Sequence, residues 1–396
     1  MEIGIPKEIK NHEYRVGLLP ASVRELTQRG HRVLVETSAG VGAGFADADY
    51  IQAGAVILDS PEAVFDAAEL VVKVKEPQSA ERALLTARHT LLTYLHLAPD
   101  RAQTEDLLAS QACCIAYETV TDHNNRLPLL APMSEVAGRM SIQAGAMCLE
   151  RSHGGKGILL GGVPGVERAN VVILGGGVVG RHAAAMAIGL GARVSVFDKS
   201  LPVLRALDDQ YGHQLQTRYA TQDGLEAAVR DADLIIGSVL VPGASAPKLV
   251  TEQMVRTMSQ GTVLVDVAID QGGCFETSHA TTHDDPYFVQ HGVVHYCVAN
   301  MPGAVPKTSS AALNHATLPF VLALAEQGVT GALKSDRHLR NGLATYQGQL
   351  TSKAVAEAHQ LSFERPEGLG FEYPSPGFEN QATRRLGDRI SGQRVT

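Results

Sequence analysis

The chain has 396 residues, 44% of them hydrophobic and 19% charged, an ordinary globular mix with material for two or three domains. Its net charge is −8 and no block of lysine and arginine stands out, which argues against nucleic acid as a partner. No run reads as long and apolar enough for a membrane span, and Met1–Pro6 is strand-like rather than a signal peptide. Cys113, Cys114, Cys148, Cys274 and Cys297 show no metal-ligand spacing, so the expectation is no metal and five reduced, buried thiols in a cytoplasmic protein.

In chain order, Glu2–Ile5 predicts a strand, Pro20–Arg29 a helix closed by Gly30, and His31–Glu36 a strand. Leu70–Lys75 and Thr90–Leu97 predict short apolar strands, followed by helical pieces at Ala80–Ala87 and Asp100–Ser110. Such alternation implies a parallel sheet with covering helices. Pro132–Ser152 predicts a long helix bridging two domains, followed by a glycine-rich turn, His153–Gly165. Later strands are expected at Leu234–Ser238, Val263–Val267 and Val293–Val298, and a second long helix at Thr308–Gln327. The tail from about Phe363, rich in Pro, Gly, Glu and Arg, predicts a mobile or partner-wrapping extension.

The most informative stretch is Val171–Asp198. An apolar strand, Val171–Leu174, runs into Gly175, Gly177 and Gly180 in G-x-G-x-x-G spacing, then a helix and a second strand, Arg193–Phe197, ending on Asp198. Gly175 permits a tight turn, Gly177 lets a pyrophosphate approach the backbone, and Gly180 lets helix and strand pack closely. The helix N-terminus offers N–H groups to the phosphates. Asp198, about twenty residues on, suits the adenosine ribose hydroxyls and would repel a 2′-phosphate, favouring NAD over NADP.

Five further positions could carry chemistry. Arg15 and Lys75 suit a clamp on a small carboxylate, though surface cations are the plainer reading. His96 stands where a strand of an open α/β sheet would end, a place for proton exchange or for a structural imidazole. Asp270 lies just past a strand, as a cleft carboxylate or a turn cap; strand alternation puts Asp266 on the same nominal face, but only Asp270 precedes the glycines. Asn300, in Asn300-Met301-Pro302, suits the nicotinamide or a self-bonded turn.

Together these segments closely resemble the NAD-dependent L-alanine dehydrogenases. The resemblance rests on MEIGIPKEIKNHEYRVGLLP, VVKVKEP, TYLHLAPD, PMSEVAGRMSIQ, LLGGVPGV, VVILGGGVVG, DLIIGSVLVPGASAPKLV, VDVAIDQGGCFE and CVANMPGAVPKTSS, with SKAVAEA carrying it to about His359. It implies an α/β fold: two Rossmann-like domains with parallel sheets, connected by long helices, with a cleft between them. The substrate domain would be discontinuous (1–130 plus 306–396) and the NAD-binding domain would be 131–305, with 363–396 as an extended tail. Carried over by residue, it implies Arg15 and Lys75 as the substrate carboxylate grip and His96 and Asp270 as the catalytic pair. The cofactor contacts would be Ser134, Gly175, Gly177, Val178, Val179, Gly180, Asp198, Val239, Leu240, Val267, Ala268, Ile269, Asp270, Val298, Ala299, Asn300 and Met301. Three positions depart from the family: Val203 replaces a basic residue, Ala220 a serine and His279 an arginine. Lys199 or Arg205 could stand in for the missing base.

The implied reaction is reversible: L-alanine, NAD⁺ and water give pyruvate, ammonium, NADH and a proton. Relatives form hexamers, so a cytoplasmic homo-oligomer without a membrane partner is expected. The alternatives are a nucleotide-binding subunit of a proton-translocating transhydrogenase, which would lack the AIDQGG pattern and the role of His96, and a dehydrogenase for a related amino acid.

Overall fold

The computed structural model describes residues 1–239 and 246–372. In chain order its strands are Glu2–Ile5 (β1), Arg32–Glu36 (β2), Val56–Leu58 (β3), Leu70–Val72 (β4), Thr90–Thr93 (β5), Cys113–Ala116 (β6), Asn170–Leu174 (β7), Arg193–Asp198 (β8), Leu215–Tyr219 (β9), Leu234–Gly237 (β10), Val263–Asp266 (β11), Tyr287–Gln290 (β12), Val293–Tyr296 (β13), Leu343–Tyr346 (β14) and Gln349–Leu350 (β15). They form two sheets in two compact units. Unit 1 is Met1–Lys10, Arg15–Leu130 and the described residues from Leu313 onward; unit 2 is Asn11–Tyr14 and Ala131–Ala312.

Unit 1 holds an eight-stranded sheet in the order β15-β14-β6-β5-β4-β1-β2-β3. Strands β1 to β6 pair in parallel, and β14 and β15 add an antiparallel edge that the sequence did not suggest. The order reverses between β1 and β4, where doubly wound sheets gather their ligands. Phe65, Val71, Leu91, Leu107, Cys114, Ala344 and Val355 share one core. The helix Pro20–Gln28 opens on Pro20, whose fixed φ suits a first helical position, and buries Val23 and Leu26.

Unit 2 holds a seven-stranded sheet, β12-β13-β11-β10-β7-β8-β9, parallel except for the edge strand β12. Alternation along β7 explains its two cores. Val171 and Ile173 pack on one face with Ile142, Ala183 and Ala187 from helices Ala131–Cys148 and Val178–Gly189. Val172 and Leu174 pack on the other with Leu225, Val229 and Val255 from helices Gln222–Asp231 and Glu252–Thr257. Each such fully buried aliphatic side chain contributes about 1.5–3 kcal/mol. Alanines and glycines bring the helices close: a Cβ on Gly138 would stand 2.3 Å from the Val179 carbonyl.

The helix Pro306–Ser335 corrects the membrane expectation, since it is long and apolar enough to cross a bilayer by length and composition. Its Leu, Val and Ala residues are interspersed with Ser, Thr, Asn and His, so no unbroken aliphatic run marks it in the sequence. Leu313, Val321, Leu324 and Leu333 are buried, and Gly328 at φ 67° breaks the helical backbone. A buried core helix passes the same test. The tail expectation is also corrected where the structure describes it. Phe371 is buried with its ring edge-on to Tyr346, and Glu364 donates its N–H to the Leu350 carbonyl, so residues 363–372 are anchored on unit 1. Residues 373–396 lie outside the described residues.

One imidazole makes unit 2 sensitive to acid. His295 on β13 is buried between Thr277 Oγ1 (2.7 Å) and the Val293 carbonyl (3.0 Å). Burial, reinforced by His279 and His291, lowers its pKa to about 4. The folded state therefore binds fewer protons than the unfolded chain. The stability contribution is complete above the free imidazole value and is lost as pH falls from about 6.5 toward about 4, at no more than about 1.4 kcal/mol per pH unit. Denaturant midpoints measured across that window fall with acid in the parent chain, and His295→Gln flattens the slope. Equal slopes would refute this.

Candidate functional site

In unit 1 the candidate residues follow the carboxyl ends of β1, β4 and β5. β4 ends at Val72, earlier than the predicted Lys75: Lys73 N still bonds the Leu92 carbonyl of β5, but a carboxylate from far along the chain takes the two amides after it. Glu8 Oε1 accepts from Val74 N at 2.6 Å and from Lys75 N at 3.4 Å. The Lys75 carbonyl accepts from Thr93 Oγ1 at 2.9 Å. Lys75 is thus held by its backbone on both sides, with little exposed surface. Glu8 itself is held by Lys73, which is wholly buried and donates to Glu8 (3.1 Å) and Glu81 (2.6 Å). Burial works against that ammonium, but the two carboxylates outweigh it and hold its pKa above the ordinary lysine value. Lys75 also lowers the pKa of Glu76 with Lys10, against a desolvation that would raise it.

Arg15 is buried on the segment after β1. Two residues on, Gly17 leaves no room for a side chain, since a Cβ would stand 2.3 Å from the Val72 carbonyl. That close approach lays the Arg15 segment against the end of β4. The phenol of Tyr94 is pushed up by burial and by Glu118, while the Arg15 guanidinium pulls it down, which places Arg15 in the same field. The Tyr94 ring lies parallel to the His96 imidazole, centroids 5.8 Å apart. His96 does not end a strand. β5 stops at Thr93, and His96 sits at φ 49°, a left-handed conformation rare outside glycine. Glu118, beyond β6, stabilises it by accepting from His96 N at 2.7 Å and from Leu95 N at 3.2 Å. Its imidazole is exposed. The structure therefore brings Arg15, Lys75 and His96 to one sheet edge. Sequence reasoning missed Glu8, Tyr94, Thr93 and Glu118; the first three lie in or beside strand segments it had marked, while Glu118 follows β6, a strand it had not.

In unit 2 the candidates line the carboxyl ends of β7, β8, β10, β11 and β13. Gly175 has φ 102° and lies against Ser238 and Val239 of the β10 end, at the point where the strand order reverses. Gly177 starts the helix Val178–Gly189, and a Cβ there would meet nothing within 4 Å. A Cβ on Gly180 would stand 1.9 Å from the Gly175 carbonyl. These are the three demands of a pyrophosphate cradle: a turn, an open approach and a tight helix. Asp198 accepts from Gly176 N (2.7 Å) and Ser200 N (2.7 Å), which fixes its carboxylate beside the turn. Val178 is exposed and Val179 half-buried. Ser134 lies in the first turn of Ala131–Cys148, one turn before the Gly138 contact with Val179, and so on the face toward that cradle. Leu240 lies outside the described residues.

The structure separates the two aspartates that strand alternation placed together. β11 ends at Asp266, which is fully buried and accepts from Cys274 N, Phe275 N and Ser278 Oγ. Burial raises its pKa despite those bonds. Asp270 follows in a 3₁₀ turn, Ile269–Gln271, where the two-residue alternation no longer applies, and it is exposed. Val267 N donates to the Gly237 carbonyl, placing Val267–Ile269 beside β10. Val298 and Met301 are buried, while Ala299 and Asn300 are half-buried. Asn300 takes φ 63° and opens the 3₁₀ turn Met301–Ala304.

Of the departures, Val203 faces Gly176, Ala220 donates its N–H to the Asp198 carbonyl, and His279 stacks on Phe288 at 3.8 Å. Lys199 and Arg205 are exposed. All five cysteines are free and buried, and burial raises every thiol, Cys114, Cys148, Cys274 and Cys297 to about 12, so none is a nucleophile near neutral pH. Among the described residues no group of three or more His, Cys, Asp or Glu is placed to hold a metal. A surface groove of about 780 Å³ is lined by Asn170, Arg193 and Leu215 at the amino ends of β7–β9, away from the glycine turn.

The chain matches the sequence patterns described as Alanine dehydrogenase/PNT, N-terminal domain, over residues 4–137, and Alanine dehydrogenase/PNT, C-terminal domain, over residues 141–353. It is 60% identical to a protein of Halomonas elongata named alanine dehydrogenase, over 93% of this chain and 100% of that one. It is 54% identical to an alanine dehydrogenase of Mycolicibacterium smegmatis, over 92% of this chain and 98% of that one. A solved structure of an L-alanine dehydrogenase superposes with a TM-score of 0.88 at 53% identity, covering 91% of this chain and 99% of that one.

The glycine geometry separates folding from binding. Gly177→Ala keeps the thermal midpoint of the parent chain but weakens NADH at least about tenfold, because its methyl fills only the cofactor's approach. Gly180→Ala costs about 1–3 kcal/mol of stability, because its methyl meets backbone. Melting curves paired with NADH fluorescence titrations check both, and an unstable Gly177→Ala would contradict the assignment.

Proposed function

This chain belongs to the alanine dehydrogenase/PNT family, and from that premise we propose that it catalyses the reversible oxidative deamination of L-alanine to pyruvate and ammonium through Arg15, Lys75, His96 and Asp270. The chain is accordingly an oxidoreductase of the CH–NH2 class that uses NAD. The observation that carries the residue assignment is the convergence of two cations and an exposed imidazole at the carboxyl edge of the unit 1 sheet.

Residues 1–130 and 306–396 act as the substrate domain and 131–305 as the NAD-binding domain, with 363–396 as a tail. Gly175–Gly180 holds the pyrophosphate at the helix N-terminus, and Asp198 takes the ribose hydroxyls. Ser134, Val239, Leu240, Val267–Asp270 and Val298–Met301 complete the cofactor contacts. When bound, NAD supplies a nicotinamide ring that takes hydride from the substrate Cα.

The Arg15 guanidinium binds the substrate carboxylate through its fork, and the Lys75 ammonium, on a backbone held by Glu8 and Thr93, bonds a carboxylate or carbonyl oxygen and polarises it. Loss of hydride leaves an iminium on the substrate. His96 takes a proton from the water that adds to it, then returns a proton to the departing ammonia. Asp270 stabilises the cationic imine and orients its neighbour. Correct placement of Cα contributes much of the rate.

The chain works in the cytoplasm as a homo-oligomer, a hexamer as in its relatives. Its reduced cysteines and the part-exposed apolar helix Pro306–Ser335 support that reading.

The test is NADH formation by the purified chain across small amino acids, with NAD⁺ and with NADP⁺; activity with L-alanine and NAD⁺ is expected, and its absence would sink the proposal. His96→Ala lowers kcat about 10²-fold or more while NADH binding survives, and wild-type turnover would remove His96 from the mechanism. Oxidation speeds up with alkaline pH, because only the neutral amine can assist hydride loss; a flat rate profile would count against it.

A further inference from the structure

The segment Asn11–Tyr14 belongs to unit 2, although the chain on either side of it belongs to unit 1. Its anchors converge on Asn300. His12 donates from Nε2 to Asp284 at 2.6 Å and lies edge-on to His283, ring centroids 5.9 Å apart. His283 donates from Nε2 to the Asn300 carbonyl at 3.1 Å. Gly303 leaves the space in which the segment crosses this turn, since a Cβ there would stand 2.7 Å from Asn300 Nδ2 and 3.1 Å from the His12 carbonyl. Within that packing, Glu13 is 6% exposed and its Oε2 accepts from Asn300 Nδ2 at 3.0 Å.

We propose that Glu13 is a positioning residue that fixes the Asn300 side-chain amide for the nicotinamide end of the cofactor. A carboxylate only accepts, so the amide must turn its nitrogen toward Glu13, and a flipped amide would set two oxygens against each other. The oxygen branch, Oδ1, is then the atom that would accept from a carboxamide N–H. The left-handed backbone of Asn300 and its carbonyl bond to His283 fix the main chain, and Glu13 bonds the side-chain amide and so orients its rotation. The proposal rests on the reading of Asn300 as a nicotinamide contact.

The experiment compares NADH with ADP-ribose, which carries the same adenosine and pyrophosphate but no nicotinamide, binding to the full-length chain. Glu13→Ala weakens NADH about tenfold and leaves ADP-ribose unchanged, as expected for one lost charge-assisted hydrogen bond. Glu13→Gln restores most of the affinity, because its Oε1 can still accept from Nδ2. Asn300→Ala weakens NADH alone, and adding Glu13→Ala to it weakens NADH no further. Equal loss for both ligands in Glu13→Ala would mean a merely structural role and would overturn the proposal, as would additive losses in the double variant. If Asn300→Ala weakens NADH but Glu13→Ala does not, only the role of Glu13 fails. If Asn300→Ala leaves NADH affinity unchanged, the Asn300 reading fails and this proposal falls with it.

Discussion

A parallel strand covered on both faces has no room for chemistry along its length, and that constraint organises both units of this protein. β4, β10 and β11 are buried at every position. Helices cover both faces of the unit 2 sheet, so each side chain of β7 enters one core or the other. Polar groups that must meet a ligand are left with the strand ends. Arg15, Lys75 and His96 in unit 1, and Asp198, Asp270 and Asn300 in unit 2, all lie at or beyond carboxyl ends. Lys73, a charge wholly enclosed in unit 1, shows the cost of breaking this rule, since it is met by two carboxylates in direct contact.

The two sheets share one winding. Counted from β3 in unit 1 and from β9 in unit 2, each runs 3-2-1-4-5, with the reversal between its first and fourth strands. What differs is the loop at the reversal. In unit 2 it is a glycine turn that opens a helix, and its demands are met by the absence of side chains at Gly175, Gly177 and Gly180. In unit 1 the loop after β1 carries charged residues instead, and Gly17 alone allows it to press on the end of β4. One architecture thus presents a bare backbone in one case and fixed charges in the other.

This difference decides what the sequence revealed. The glycine turn is local: strand, turn, helix and acid follow one another within about thirty residues, so the reading of Val171–Asp198 needed no distant partner. The unit 1 site is non-local. Leu70–Lys75 reads as one strand because its apolar alternation is unbroken, yet β4 stops at Val72, and Glu8 takes the amides of Val74 and Lys75. Thr90–Leu97 likewise reads through His96, while Glu118, beyond the next strand, accepts from the amide of His96 where the backbone turns left-handed. The antiparallel edges β12, β14 and β15 and the three-residue β3 were too short or too mixed to register as strands.

The hardest distinction in the sequence is between near-duplicates. Lys73 and Lys75 stand two apart, and Asp266 and Asp270 four apart, so strand alternation assigns each pair to one face and offers no means of choosing. The structure chooses by burial. In each pair the member on or next to the strand is fully enclosed and spent on the fold: Lys73 on Glu8 and Glu81, Asp266 on the amides of Cys274 and Phe275 and the Ser278 hydroxyl. The later member falls where the strand has ended: Asp270 is exposed, while Lys75 keeps a little exposed surface. The enclosed member also builds the platform for the later one, since Lys73 holds the Glu8 carboxylate that takes the Lys75 amide, and Asp266 closes the loop that follows Asp270. Neutralising an enclosed member therefore disturbs its partner's backbone as well as its own surroundings.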